Sequence, residues 1–123
     1  LSGNVLGPKG TKLIAPCFQT STTLKRVNML GNNVGVEGYN KLISVANEVG
    51  LGSLCGLQEG LTEADLSNQP LWPSDANLLA WDLQAGFAAT SLEYLVVEDS
   101  NLNDESYDIL TEAAEARGIE LAI

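Results

Sequence analysis

The chain has 123 residues, of which 45% are hydrophobic and 18% charged, so its length and composition are those of one globular domain rather than a disordered segment. Its formal net charge of −10 at pH 7 argues against nucleic acids and anionic membranes as partners, because both are bound through clustered Lys and Arg. An acidic surface favours solubility or, as the alternative, a basic partner.

The residue types that are scarce or missing exclude several kinds of site. Two cysteines in different segments, and no N-x-[ST] sequon, predict a reducing environment and hence an intracellular protein. No apolar run approaches the roughly 20 residues of a membrane span, so we expect a soluble chain. The absence of histidine removes the commonest general base and metal ligand, and we expect no cofactor and no metal. The first residue is not methionine, which favours a fragment of a longer protein whose targeting signal is missing.

The first unusual stretch is "LKRVNMLGNNV", residues 24–34, whose apolar residues follow neither the strand period of two nor the helix period of 3.6. Leu24, Val27, Met29, Asn32 and Val34 occupy positions 1, 4, 6, 9 and 11 of this stretch, and we call this spacing the frame. A preceding helix is predicted to begin near Pro8 and to end early at Pro16. A helical stripe follows the frame at residues 35–50.

The same frame recurs at residues 51–61, 61–71 and 92–102. The copy at 51–61 is degraded and leaves no room for a helix, so we predict two close strand-like passes or an irregular loop there. Helices are predicted after the other two copies, one capped by Ser74 or Asp75 and one capped by Asn103 and stopped by Gly118. The alternating "GIELAI" at the end predicts one last strand.

Strand, turn and helix units about 28 residues apart, each headed by L-x-x-L-x-L-x-x-N-x-L, resemble leucine-rich repeats of the ribonuclease-inhibitor-like subclass. Residues 53–83 resemble algal and other protist members. The resemblance implies an α/β solenoid: a short right-handed β-α horseshoe segment with a parallel sheet on its concave face and helices outside. It implies a single domain, residues 1–123, of about four units, with the first incomplete and the one near 51–61 irregular. The expected structural turn residues, which hydrogen-bond the turn backbone, are Asn4, Asn32, Gln69 and Ser100.

The resemblance also implies a binding surface, because leucine-rich repeats usually bind partners through the concave sheet. Ser53 and Cys55 are expected to face outward there. Tyr94 is the strongest anchor candidate, since aromatic residues are enriched in interface hot spots. The predicted partner-binding residues are Arg26, Asn28, Glu63, Asp65, Tyr94, Val96, Glu98 and Asp99. Alternatively, these residues are solvated and have no partner.

Three functions remain open from the sequence. The leading hypothesis is a non-catalytic scaffold that binds a protein, preferably one with a basic surface, through the concave face. The alternative is a structural peripheral subunit of a large multi-subunit assembly, such as an organellar or photosynthetic complex of a protist, with a plastid as one candidate compartment. The third is a GTPase regulator acting through Arg26.

An enzyme is not expected. An EF-hand match at residues 99–110 fails because Asp104 and Leu110 replace the required Gly and Glu. Cys55 lacks a histidine to activate it. Of the two tryptophans, Trp81 is predicted to lie in the core, while Trp72 is either a lid over the irregular unit or an exposed contact.

Overall fold

The computed structural model describes residues 6–20, 23–98, 100 and 102–122. Over these residues the chain forms five helices and three short strands, which are connected by loops. The elements in chain order are α1 (Gly7–Gln19), α2 (Gly35–Val49), β1 (Glu63–Asp65), α3 (Pro73–Ala85), α4 (Ala88–Ser91), β2 (Tyr94–Val96), α5 (Asp104–Ala116) and β3 (Glu120–Ala122).

The three strands form one parallel sheet in the order β1-β2-β3. The pairing is in register, so that each residue of β2 has a partner in both neighbours. Ala64 of β1 and Leu95 of β2 are buried, and the residues on either side of each are more exposed. Since side chains alternate between the two faces of a strand, one face packs on the core and the other is open to solvent.

The predicted leucine-rich repeat solenoid of the ribonuclease-inhibitor-like subclass is wrong. The described chain is mostly helical, with five helices and one sheet of three strands, each three residues long. The frame at 24–34 forms two isolated bridges and no strand: Arg26 pairs with Ser53 in parallel, and Asn28 pairs with Cys55 antiparallel. A pairing that reverses direction within two residues cannot extend a parallel ladder.

The residues after Ser53 turn because their backbone donors are taken by a side chain. The Ser53 hydroxyl oxygen accepts hydrogen bonds from the N–H groups of Cys55 (3.1 Å) and Leu57 (2.9 Å). Such local bonds compete with strand pairing. Gly56 follows with a positive φ of 80°, a conformation that favours glycine. The predicted irregular loop near 51–61 is therefore present, and it ends in a second turn at residues 59–60, where the Leu61 N–H donates to the Gln58 carbonyl at 3.3 Å.

The helices after the frames at 24–34, 61–71 and 92–102 are confirmed, as is the last strand, β3. Helix α2 ends at Gly50, whose φ of 73° is left-handed and whose N–H bonds to the Ala46 carbonyl. At α5, Asn103 Oδ1 accepts a hydrogen bond from the Ser106 N–H at 2.8 Å, so the predicted cap is confirmed.

Two helix ends differ from the prediction. Helix α1 does not end early but continues through Pro16. Proline has no N–H to donate to the Lys12 carbonyl. Because Pro16 is exposed, this carbonyl lies on the outer side of the helix, where water can solvate it. Helix α3 begins slightly before the predicted caps Ser74 and Asp75, with Trp72 as N-cap and Pro73 at the first helical position.

The core lies between the helices and the inner face of the sheet. Helix α1 packs on α2, α2 on α3, and α3 on α5, which makes one row of four helices. The largest fully buried side chains are Met29, Leu30, Val34, Leu42, Val45, Leu54, Leu78, Leu79, Leu83, Leu95, Val97 and Leu110. Within the described ranges, no helix combines the length and the apolar composition needed to cross a membrane.

Candidate functional site

The solvent-facing side of the sheet carries two rows of side chains that cross all three strands. In the first row Glu63, Tyr94 and Glu120 are register partners, and in the second Asp65, Val96 and Ala122 are partners. Neighbouring strands lie about 4.8 Å apart, so the two glutamates flank the tyrosine at a backbone separation of about 10 Å. We call the six residues of these rows the sheet face.

The sheet face joins a partly exposed aromatic and apolar centre to an acidic border. Tyr94 and Val96 are half-buried, whereas Glu63, Asp65 and Glu120 are exposed. The side chain and the N–H of Ser67 donate to Asp65 Oδ1, the N–H at 2.9 Å, and these bonds lower the pKa of the Asp65 carboxyl. Asp65 therefore keeps its negative charge across the physiological pH range.

Glu98 lies just past the end of β2 and is also exposed. Its carbonyl accepts a hydrogen bond from the Asn68 N–H at 3.0 Å, which continues the pairing of the chain beyond the strands. Asp99, the last of the predicted binding residues, lies outside the described residues.

Arg26 and Asn28 lie apart from the sheet, on the bridged segment that pairs with residues 53–55. Arg26 is exposed and lines an open cavity of about 590 Å³ together with Lys25, Glu59 and the Phe87 ring. The acceptor of Asn28 is used locally, because its Oδ1 accepts from the Leu30 N–H at 3.1 Å. The structure therefore separates a basic region near Arg26 from the acidic sheet face.

The other two residues predicted to face outward on this surface, Ser53 and Cys55, are buried, so that prediction is wrong. They face the interior because the segment turns at residues 53–57 instead of forming a strand. Burial is the main reason why the pKa of the Cys55 thiol is well above its usual range, and the nearby charges of Asp82 and Asp75 raise it further. The thiol is thus protonated and is a poor nucleophile.

The predicted turn residues occupy three bends of the described chain. Asn32 is buried, and its Nδ2 donates to the carbonyl of Met29 at 3.0 Å. Ser100 is buried as well, and its hydroxyl donates to the Val97 carbonyl at 2.7 Å. Both bonds run back three residues and close a turn. Gln69 is half-buried at the corresponding bend, and Asn4 lies outside the described residues.

A buried carboxylate that was not predicted from the sequence connects α3 to residues 53–54. Asp82 accepts hydrogen bonds from the Ser53 hydroxyl at 2.5 Å and from the Leu54 N–H at 2.8 Å. Burial raises the pKa of Asp82 from 3.8 to about 6, although its hydrogen bonds act in the opposite direction. A signal for it exists, since Asp82 follows Leu78 and Leu79 at helical spacing and so lies on the apolar stripe.

A second buried carboxylate of α3 reaches the other end of the bridged region. Asp75 Oδ2 accepts from the N–H groups of Trp72 (2.8 Å) and Gly31 (3.1 Å). Asp75 Oδ1 is buried without a hydrogen-bond partner, and burial raises the pKa of this carboxyl. Trp72 itself is 41% exposed, while Trp81 is partly buried against the core.

The described residues contain no group of three or more Cys, Asp or Glu side chains that could hold a metal ion. Comparisons with protein-family models, with curated proteins and with solved structures find no match to this chain. The sheet face, the basic region near Arg26 and the two buried carboxylates are thus the features on which a function can be argued.

Proposed function

We propose that the chain is a non-catalytic protein-binding module whose sheet face binds a basic segment of a partner protein. The observation that carries the proposal is the row in which Tyr94 lies between Glu63 and Glu120. A Lys or Arg side chain lying over the tyrosine ring would gain a cation–π contact and would pair with a carboxylate on either side. Val96 supplies an apolar contact in the next row.

Binding is preferred to catalysis because the groups with raised pKa values already have structural roles. Asp82 and Asp75 are buried, and they accept hydrogen bonds from the backbone N–H groups of Leu54 and Gly31 respectively. The Cys55 thiol is buried and protonated. The sheet face has the acidic groups, but these are open to solvent, where nothing prepares them for acid–base chemistry.

The test uses a fluorescein-labelled nonapeptide of alternating arginine and valine, and a second peptide in which glutamate replaces arginine. The binding variant reverses the three acids of the sheet face: Glu63→Lys, Asp65→Lys and Glu120→Lys. A matched control reverses three exposed acids of α5: Asp108→Lys, Glu112→Lys and Glu115→Lys. Both variants change the net charge equally, so they separate the location of the charge from its amount.

We expect fluorescence anisotropy to show that the binding variant loses at least about tenfold in affinity for the arginine peptide and the α5 control loses at most about threefold. Tyr94→Ala should also weaken binding while leaving the net charge unchanged. Equal losses in the two triple variants, or equal binding of the glutamate peptide, would contradict the proposal.

A further inference from the structure

The charges of the chain are strongly segregated along the sequence. Five of the six Lys and Arg residues precede residue 58, and fourteen of the sixteen Asp and Glu residues follow it. The terminal helices of the row repeat this division. Helix α1 carries Lys9 and Lys12 and no acid, whereas α5 carries five acids and no base. The α1 end is therefore locally basic within an acidic protein.

The side of α1 that faces away from α2 is partly apolar. Thr11, Ala15 and Phe18 form its buried side, and at 100° per residue Leu13 projects on the opposite side. Leu13 is 73% exposed, as is Val36 at the start of α2. Among the described residues the only other large exposed hydrophobic side chain is Trp72, so exposed apolar surface is concentrated at this end of the row.

A cavity of about 500 Å³ lies beside Leu13. It is lined by Pro8, Lys9, Lys12, Leu13 and Glu37. The Lys12 ammonium contacts Glu37 at 3.1 Å, in an exposed pair that contributes little stability. Lys9 has no ion-pair partner among the described residues. The cavity thus combines an apolar wall with one lysine that is unpaired and one that is weakly paired.

We propose that this surface of α1, which we call the α1 face, docks an acidic amphipathic helix of another protein. Its apolar side chains would contact Leu13 and the cavity wall, and its carboxylates would pair with Lys9 and Lys12. Helices commonly dock in this way, with apolar residues in a groove and charges at its border. The α1 face is separate from the sheet face, so this proposal does not depend on the proposed function.

A second copy of the chain fits the α1 face less well. The exposed surface of α5 is acidic, with Asp104, Asp108, Glu112 and Glu115 at helical spacing, but α5 has no large exposed apolar side chain to place beside Leu13. An anionic membrane is disfavoured because such a surface is bound through clusters of about four or more Lys or Arg side chains, and α1 carries only Lys9 and Lys12.

The probe is a fluorescein-labelled 15-residue peptide with leucine at helical spacing and glutamate on the remaining face. The control peptide has lysine in place of every glutamate. The binding variants are Lys9→Glu with Lys12→Glu, and Leu13→Ser alone. The matched control is Lys25→Glu with Arg26→Glu, which reverses two exposed charges elsewhere. Circular dichroism of each variant establishes that it is folded.

We expect the acidic peptide to bind the wild-type chain and the lysine peptide to bind at least about tenfold more weakly. The Lys9 and Lys12 double variant should lose at least about tenfold in affinity for the acidic peptide, and the Lys25 and Arg26 control at most about twofold. The affinity of the wild-type chain for this peptide should fall as the salt concentration is raised. No binding of the acidic peptide, or equal losses in both double variants, would overturn the proposal. So would self-association in light scattering that the Lys9 and Lys12 double variant abolishes, because the occupant would then be a second copy.

Discussion

The two parts of the chain, residues 24–57 and residues 61–122, hold their backbone groups in different ways. In the second part, short strands pair in register, and the pairing continues past them where the Leu66 N–H donates to the Val96 carbonyl at 2.7 Å. In the first part, four backbone hydrogen bonds also join residues 25–29 to residues 52–56, but side chains supply further acceptors. Asp75 binds the Gly31 N–H and Asp82 binds the Leu54 N–H, both from α3.

This difference explains why similar sequence frames give different structures. A parallel ladder satisfies its backbone donors with neighbouring carbonyls, whereas the bridged part adds to its backbone bonds two carboxylates that must be taken out of water. The first solution leaves an open face whose side chains are free to bind a partner. The second uses its polar side chains inside the molecule, which is why Ser53 and Cys55 are not on the surface.

The largest expected effect breaks the paired part of the molecule. Leu95 is fully buried in the central strand, and Leu95→Ala should lower the free energy of unfolding by about 3 to 4 kcal/mol, since strands on both sides hinder collapse of the cavity. Leu54→Ala is the matched change in the bridged part, where a loop can move, and should cost about 2 kcal/mol. Urea denaturation measures both free energies of unfolding, and an equal cost would mean that the bridged part closes around a cavity no more easily than the sheet does.

The second prediction removes the carboxylate that supports the bridged part. Asp82→Ala leaves the Leu54 N–H and the Ser53 hydroxyl without their acceptor, so we expect a loss of about 2 kcal/mol of stability at pH 7. Asp82→Asn keeps one acceptor oxygen and removes the buried charge, and should cost less than about 1 kcal/mol. If urea denaturation shows that Asp82→Asn destabilises the chain as much as Asp82→Ala does, the negative charge of Asp82 itself is required for stability.

The sequence predicts the helices well and the backbone of residues 24–34 and 51–57 poorly, for a physical reason. Helical stripes and caps such as Asn103 depend on neighbours within a few residues, and these local signals are strong in α2, α3 and α5. The bond from Asp82 to Leu54 spans 28 residues, and no local pattern predicts it. Strand alternation predicts that Glu63 and Tyr94 face outward. The position of Glu120 on the other side of Tyr94 depends on the order of the strands in the sheet, which no local pattern gives.

The third prediction concerns pH. The pKa of Asp82 in the folded state is about 6, above the ordinary aspartate value of 3.8, so the folded state binds more protons than the unfolded state between these pH values. Its contribution to stability is therefore full below about pH 4 and is lost as the pH rises through 6. From pH 7 to pH 5 the wild-type chain should gain about 1 kcal/mol relative to Asp82→Asn.

Thermal unfolding of the two proteins at both pH values measures this difference and cancels the titration of other groups, including Asp75, whose pKa is also raised, and Asp65, whose pKa is lowered. Parallel pH profiles for the wild-type chain and Asp82→Asn would show that Asp82 does not titrate as described.

The fourth prediction compares one turn from each part. Asn32 and Ser100 both donate to a carbonyl three residues earlier, and both are buried. Ser100→Ala removes one hydroxyl and leaves the Val97 carbonyl without that donor, at a cost of about 1 kcal/mol, because the neighbouring bond from Leu71 N–H to the Ser100 carbonyl still holds the turn.

Asn32→Ala should cost more, about 2 kcal/mol, because the amide also lies within 3.4 Å of the Leu30 carbonyl and the segment before it has no strand to hold it. Hydrogen exchange of the Gly7 amide, which bonds to the Asn32 carbonyl at 2.8 Å, should then accelerate with the same substitution. A larger loss at Ser100 would mean that the paired part, and not the bridged part, depends more on its turn side chains, and it would reverse the comparison between them.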